Sequence, residues 1–360
     1  MRSFKSVYLL LTDNCNMHCS FCYRKEKIGV DKAIMSIDLA KDIMNWIDSE
    51  DILDFDDKDT AIYFWGGEPF LNVGVIKFML ESYPQVRFCT DTNGLVLSKS
   101  KELREFVRKH LYHFGITLSA GFANEKFGSM ARYMEEYKEV LELIKSCRGN
   151  SVNLVASNPK TLYQDFKMLY DFGITEIMID VPINCNLPDG YEEEFIDAML
   201  KITDEYEIVP IGSDKYFAIP MYGIVDENGL KKVKKRYCGS GLVRLLVDYK
   251  GNVWQCDGFY IMGKNCLGNI YEGIDWSKLD WIPELKEKIW EFCRGCEIEE
   301  YCAKCKCMSI NYRGSGDMFK PDERWCRINK MLYKLAVKFC ERRGLNAKAE
   351  DTRDRLVCYA

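Results

Sequence analysis

Ser6-Val7-Tyr8-Leu9-Leu10-Leu11-Thr12 runs almost straight into Cys15-Asn16-Met17-His18-Cys19-Ser20-Phe21-Cys22. The first stretch is an apolar run of the kind that forms a buried parallel strand. The second is a C-x3-C-x2-C loop at that strand's end. Three thiolates so close together can hold three irons of a [4Fe–4S] cluster. The fourth iron then has no protein ligand, and an open metal position is a place where a small molecule can bind and react. Zinc or a disulfide pair is the competing reading. Structural zinc favours C-x2-C pairs and four ligands, and no fourth Cys is near, although His18 lies inside the loop.

A second segment agrees with the first. Ala61-Ile62-Tyr63-Phe64-Trp65 has the pattern of a short buried strand, and it runs into Gly66-Gly67-Glu68-Pro69. Alone, that tetrapeptide could be only a turn. After a strand, and at this distance from the Cys loop, it resembles the "GGEP" segment of the radical S-adenosylmethionine (SAM) superfamily. Phe21 just before the last Cys of the loop fits the same resemblance. The resemblance implies that SAM chelates the open iron through its amino and carboxylate groups. One electron from the cluster then cleaves SAM to a 5′-deoxyadenosyl radical.

The resemblance also implies a set of cofactor-binding residues. Gly66, Gly67, Glu68 and Pro69 would meet the amino group of SAM. Asn93 lies in Thr92-Asn93-Gly94, similar to the family's "TNG" segment. Ser119 would lie near the ribose. Family members carry Ser-x-Asp-Gly there, whereas this chain reads Ser119-Ala120-Gly121 and lacks the acid. Arg132 is the candidate partner of the SAM carboxylate, and the plain alternative for it is a solvated helix charge.

The chain has 360 residues, enough for one large or two medium domains with a real core. Its net charge of −5 argues against nucleic acid as the main partner. The run from Tyr8 to Leu11 is cut short by Asp13, so neither a signal peptide nor a membrane span is visible. Seventeen cysteines without a secretory signal point to a reducing, cytoplasmic setting, where clustered thiols are more often metal ligands than disulfides.

Strand-like runs at 6–12, 61–65, 86–90, 114–119, 152–156 and 174–179 alternate with amphipathic stretches such as 37–47, 75–81, 101–110, 134–146 and 162–171. Six βα units in sequence imply an α/β fold with a parallel sheet. The superfamily resemblance makes it a partial (β/α)6 barrel, with chemistry at the carboxyl ends of the strands.

Nine cysteines then fall between Cys238 and Cys326. Cys238 and Cys256 flank a predicted hairpin, 243–248 and 251–255, turned at Lys250-Gly251-Asn252. Gly251 stands four residues before Cys256, and Cys293-x2-Cys296-x5-Cys302 follows, then Cys305, Cys307 and Cys326. The pattern resembles the SPASM domain, an auxiliary-cluster extension of radical SAM enzymes. By that resemblance one auxiliary [4Fe–4S] cluster takes Cys293, Cys296, Cys302 and Cys326. The other takes Cys238, Cys256 and either Cys305 or Cys307, which flank the family position at Lys306. Cys266 would replace a missing upstream ligand, or that cluster keeps an open iron. A pair of zinc sites is the alternative. The expected division is a barrel over 1–225, a SPASM domain over 226–330 and a helical tail over 331–360.

Asp257 follows Cys256 directly. In anaerobic sulfatase-maturating enzymes, which this segment resembles, an Asp there acts near the substrate as proton acceptor; an ordinary turn residue is the alternative. Cys185, in the loop after the sixth strand, is the second catalytic candidate. The overall expectation is a radical SAM/SPASM oxidoreductase with three [4Fe–4S] clusters that modifies a peptide or protein side chain, by crosslinking, epimerisation or oxidation. Its implied partners are that peptide, a separate peptide-recognition protein and an electron donor such as flavodoxin or ferredoxin, with no nucleic acid and no membrane. Sulfatase maturation, a small-molecule alcohol dehydrogenase and a plain iron–sulfur electron carrier are the other readings.

Overall fold

The computed structural model describes residues 4–147, 149–182, 187–206, 216–218, 224–226, 228–232, 239–280, 291–302 and 307–345. They fall into two compact units, Met1–Val152 with Gly239–Ile282, and Asn153–Cys238 with Pro283–Ala360.

The strands in chain order are β1 (Ser6–Thr12), β2 (Ala61–Gly66), β3 (Phe88–Thr92), β4 (Phe114–Ser119), β5 (Ser151–Val155), β6 (Glu176–Asp180), β7 (Tyr216–Ala218), β8 (Val225–Asp226), β9 (Gly229–Leu230), β10 (Arg244–Val247), β11 (Asn252–Trp254), β12 (Cys266–Asn269) and β13 (Gly273–Ile274). In the first unit the sheet order is β13-β12-β11-β10-β1-β2-β3-β4. β1 pairs in parallel with β2, β2 with β3 and β3 with β4. Every residue of β1 is buried, as expected of a strand with neighbours on both edges and covered faces. The parallel α/β sheet read from the sequence is thus present.

Three elements differ from expectation. β3 starts at Phe88 rather than at 86, because Val86 N–H closes a turn on Tyr83 O (3.0 Å) after the helix Val73–Ser82. The amphipathic stretch at 134–146 is two helices, Met130–Glu136 and Lys138–Lys145, parted at Tyr137. The hairpin β10–β11 does not stand apart: β10 joins the parallel sheet along the free edge of β1, with Ser6 opposite Arg244 and Leu9 opposite Val247. Hairpin pairing is legible from a local turn, whereas the partner on the other edge lies more than two hundred residues away.

The helix Ile37–Ser49 shows how sequence makes these elements. Ser36 Oγ accepts from Leu39 N–H (3.1 Å) as an N-cap. Leu39, Ala40, Ile43, Met44 and Ile47 then recur on one buried face. In the second unit β6 pairs in parallel with β7, and helices Pro159–Phe172, Tyr191–Glu205 and Glu323–Arg343 pack together. Among the described residues no helix is long and apolar enough to cross a membrane.

Candidate active site

The loop after β1 is held by backbone contacts that only glycine permits. Gly67 N–H donates to Thr12 O (2.9 Å) and Glu68 N–H to Asn14 O (2.8 Å). A Cβ on Gly67 would lie 2.2 Å from Asn14 O, and one on Gly66 would lie 2.5 Å from Thr12 O. Any side chain would push the end of β2 off the start of the Cys loop.

Glu68 is 1% exposed and ties three segments together. Its Oε1 accepts from Phe70 N–H (3.0 Å) and from Thr92 Oγ1 (2.7 Å), and its Oε2 accepts from Asn93 N–H (2.8 Å). Burial outweighs these hydrogen bonds and pushes its carboxyl up to about 7. Asn93, itself buried, donates from Nδ2 to Asn16 Oδ1 (2.8 Å) and approaches Cys15 Sγ at 3.7 Å. Glu68, Asn93 and the Cys15 turn therefore form one connected arrangement at the strand ends.

The rest of the loop is pinned by the helix Ala123–Phe127. Ser20 N–H and Oγ donate to the Glu125 carboxylate (3.0–3.2 Å), and Lys126 Nζ reaches His18 O (3.2 Å). Cys22 N–H closes a turn on Cys19 O (3.1 Å). Burial raises the Cys15 thiol above its ordinary value, and burial, Glu125 and the neighbouring thiols push Cys19 up to about 12. Thiols so placed ionise readily only against a cation, the behaviour wanted of cluster ligands. Among the described residues no three His, Cys, Asp or Glu side chains are already gathered at metal-binding distance. Three sulfurs outside any disulfide, on one eight-residue loop beside a glycine cradle, fit the cluster by donor chemistry.

Residues 9–172 match the radical SAM superfamily. This stretch is a radical SAM domain. The radical SAM cyclopropyl synthase TigE of Paramaledivibacter caminithermalis is 20% identical over 363 residues, covering 92% of this chain and 74% of that protein. Among solved structures, anSMEcpe with bound AdoMet is similar with a TM-score of 0.67 at 15% identity, over 96% of this chain and 100% of that one. Streptococcus suis SuiB bound to its precursor peptide SuiA is similar at a TM-score of 0.58 and 15% identity, over 90% and 76%. Proteins of the radical SAM superfamily use a [4Fe–4S] cluster and SAM.

The other expected residues of the radical SAM domain are dispersed around this centre. Pro69 opens the short turn Pro69–Asn72, with Glu68 as its cap. Phe21 is half-buried in the Cys loop. Ser119 ends β4, and its carbonyl accepts from Tyr133 OH (3.2 Å). Arg132 is exposed on the helix Met130–Glu136, where its N–H bonds Ser129 Oγ (3.3 Å).

Asp257 opens the helix Asp257–Met262, with Cys256 at its cap position. Its carboxylate is fully engaged: Oδ2 accepts from Tyr23 OH (2.6 Å) and Oδ1 from Arg24. Arg24 also reaches Asp13 Oδ1 (2.7 Å), whose Oδ2 accepts from Tyr249 OH (3.0 Å) and from Tyr260 OH. Burial works against the Arg24 charge, yet Asp257, Tyr23 and Asp13 together hold its pKa above the ordinary value. Tyr23 is raised by burial and by Asp257, so its hydroxyl stays a donor. Sequence reading identified Asp257 and missed its partners. Arg24 lies 233 residues before Asp257, and no local pattern pairs them.

In the second unit Cys302 and Ile298 are buried, with Cys293, Cys296 and Tyr333 packed on them. Burial and then the thiols of Cys302, Cys293 and Cys296 push Cys326 up to about 11. The four residues expected to share a site are therefore neighbours. Cys326 is placed by the helix Glu323–Arg343, whose cap Asp322 accepts from Arg324 N–H (2.8 Å) and gives its carbonyl to Cys326 N–H (3.0 Å). Cys266 sits in β12, its Sγ directed to Val253 O and Gly268 O (3.7 and 3.5 Å). Cys307 caps the helix Met308–Ser315. Cys185, Cys238 and Cys305 lie outside the described residues.

Proposed function

We propose that this chain reductively cleaves SAM and uses the resulting radical to modify a peptide or protein side chain. The observation that carries the reading is the single arrangement of Cys15, Asn93 and Glu68 around the loop Cys15–Cys22. Cys15, Cys19 and Cys22 would hold the cluster, which when bound with SAM supplies one electron to break the C–S bond and so yields the hydrogen-abstracting 5′-deoxyadenosyl group. Glu68, when ionised, takes the ammonium of SAM. Asn93 fixes the loop against it. Phe21, Gly66, Gly67, Pro69, Ser119 and Arg132 line or approach the same ligand in this reading.

We further propose a barrel over 1–225, a SPASM domain over 226–330 with two auxiliary [4Fe–4S] clusters, and a helical tail over 331–360. One auxiliary site is Cys293, Cys296, Cys302 and Cys326, which the shared packing supports. The other is Cys238, Cys256 and Cys305 or Cys307, with Cys266 as a further ligand. A peptide substrate is supported by likeness to SuiB bound to a precursor peptide and to anSMEcpe bound to AdoMet and the Cp18Cys peptide. Likeness to anSMEcpe over 96% of the chain makes sulfatase maturation the second reading. Asp257 then belongs to the substrate half of the reaction, with Cys185 as the alternative donor. A cytoplasmic setting, a flavodoxin or ferredoxin donor and a separate peptide-recognition partner complete the proposal.

Anaerobically reconstituted protein, reduced with dithionite and given SAM, should release 5′-deoxyadenosine. Peptides or sulfatases encoded beside the gene should then change mass when added. Absence of any SAM cleavage by a preparation with full iron content ends the reading.

A further inference from the structure

Four segments of the first unit meet at a largely buried network: the residue after β1 (Asp13), the residues after Cys22 (Tyr23 and Arg24), the β10–β11 turn (Tyr249) and the helix after Cys256 (Asp257, Tyr260), with the Asp31–Lys250 pair at its exposed rim. Arg24 is the hinge pin of this network. Its side chain is 4% exposed, between Asp13 at 2% and Asp257 at 15%. One amino group holds each carboxylate. Three tyrosine hydroxyls donate to the same two acids, Tyr23 to Asp257 and Tyr249 and Tyr260 to Asp13. Arg24 also lies 5.9 Å from the centre of the Tyr260 ring.

We propose that Arg24 is a positioning residue: shared between Asp13 and Asp257, it locks the turn after Cys256 onto the loop that carries Cys15, Cys19 and Cys22, so that the two cysteine-bearing segments order together. The chemistry favours this. The buried Asp13 carboxylate and the partly buried Asp257 carboxylate repel, and one planar guanidinium with forked donors can satisfy both at once. Removing Arg24 leaves two carboxylates without a countercharge, and removing Asp257 leaves Arg24 paired with Asp13 alone, so that the turn after Cys256 loses its tie to the fork. Because the acids sit on different segments, opening one must loosen the other. Asp257 has both oxygens engaged, so its position is set by Arg24 and Tyr23 rather than by its own turn. The proposal rests on the cluster-loop reading only for what the coupling serves.

Hydrogen–deuterium exchange on the full reconstituted chain tests it, with the helix Pro159–Phe172 as internal control. Asp257→Asn and Arg24→Gln should each speed exchange about tenfold or more in both 16–24 and 257–262, leaving the control unchanged. Arg24→Lys, which keeps the charge but not the fork, should restore part of the protection. The double variant Arg24→Gln/Asp257→Asn should be no looser than the worse single variant. Faster exchange confined to the segment that carries the substitution would overturn the proposal. If Arg24→Gln does not yield folded protein, Tyr23→Phe decides the matter: it removes one hydroxyl, and it must loosen both segments or neither claim of joint ordering stands. Iron content and 5′-deoxyadenosine release from SAM by the unsubstituted chain are measured alongside. Their failure defeats the cluster reading and leaves the exchange result to judge Arg24.

Discussion

The two cysteine groups of this chain are built in opposite ways. Around Cys15, Cys19 and Cys22 the neighbours are polar and buried: Glu68, Asn93, Thr92, Asp13 and Arg24. Around Cys293, Cys296 and Cys302 the packing is apolar, with Ile298 and Tyr333 in contact, and charged side chains such as Glu323, Arg327 and Lys330 stand beside Cys326 only at the rim. Buried polar groups cost free energy unless each finds a partner, and these five find theirs in one another and in neighbouring segments. Apolar packing instead shields the sulfurs it covers and fixes them in place. The difference teaches that ligand spacing alone tells where a cluster can sit, while the surrounding side chains tell whether it also has a substrate to handle.

The sharpest way to break that comparison is to remove each group in turn. Replacing Cys15, Cys19 and Cys22 together with Ala should abolish 5′-deoxyadenosine formation and lower iron by about four per chain. Replacing Cys293, Cys296, Cys302 and Cys326 should remove a similar roughly four irons yet leave SAM cleavage measurable. Iron analysis and product chromatography read both. Equal loss of SAM cleavage from the two variants would erase the distinction.

A single methyl group should come next in effect. Gly67→Ala sets a Cβ 2.2 Å from Asn14 O, against backbone that cannot swing away. Overpacking of this kind costs about 1–3 kcal/mol, and the strain falls on the Cys loop itself. Thermal unfolding should register the loss, and SAM cleavage should drop further than stability does. No comparable cradle exists at Gly295, beside Cys296, where a Cβ meets nothing within 4 Å. Its positive φ of 79° makes Gly295→Ala strained but not blocked.

The smallest effect is a pH dependence peculiar to the polar site. Glu68 has its carboxyl raised by burial from 4.5 to about 7. An acid raised on folding favours the folded state fully below its unfolded value, and that contribution is lost as pH rises through about 7. SAM binding runs the other way, because the ionised form attracts the ammonium. Affinity for SAM, measured by calorimetry on the reconstituted protein, should therefore rise by up to about tenfold between pH 6 and 8. Glu68→Gln should flatten both trends. A slope that survives in Glu68→Gln would assign the titration elsewhere.

Much of this molecule is legible along the chain because the decisive contacts are local. The spacing of Cys15, Cys19 and Cys22 is a property of eight residues, and Ala61–Trp65 before Gly66-Gly67-Glu68-Pro69 marks a strand and its turn. Apolar runs at 6–12 and 61–65 coincide with β1 and β2, since a strand covered on both sides is apolar on both faces, and the run at 114–119 coincides with β4, which alternates buried and half-buried residues. The fold class follows from their alternation with helices. Tertiary structure alone decided that β10 lies along β1, that Glu125 holds Ser20, and that Arg24 stands between Asp13 and Asp257. Each of these brings together segments far apart in sequence through hydrogen-bonded or charged contacts. Such a contact has no period and no spacing, and it exists only once the chain has closed.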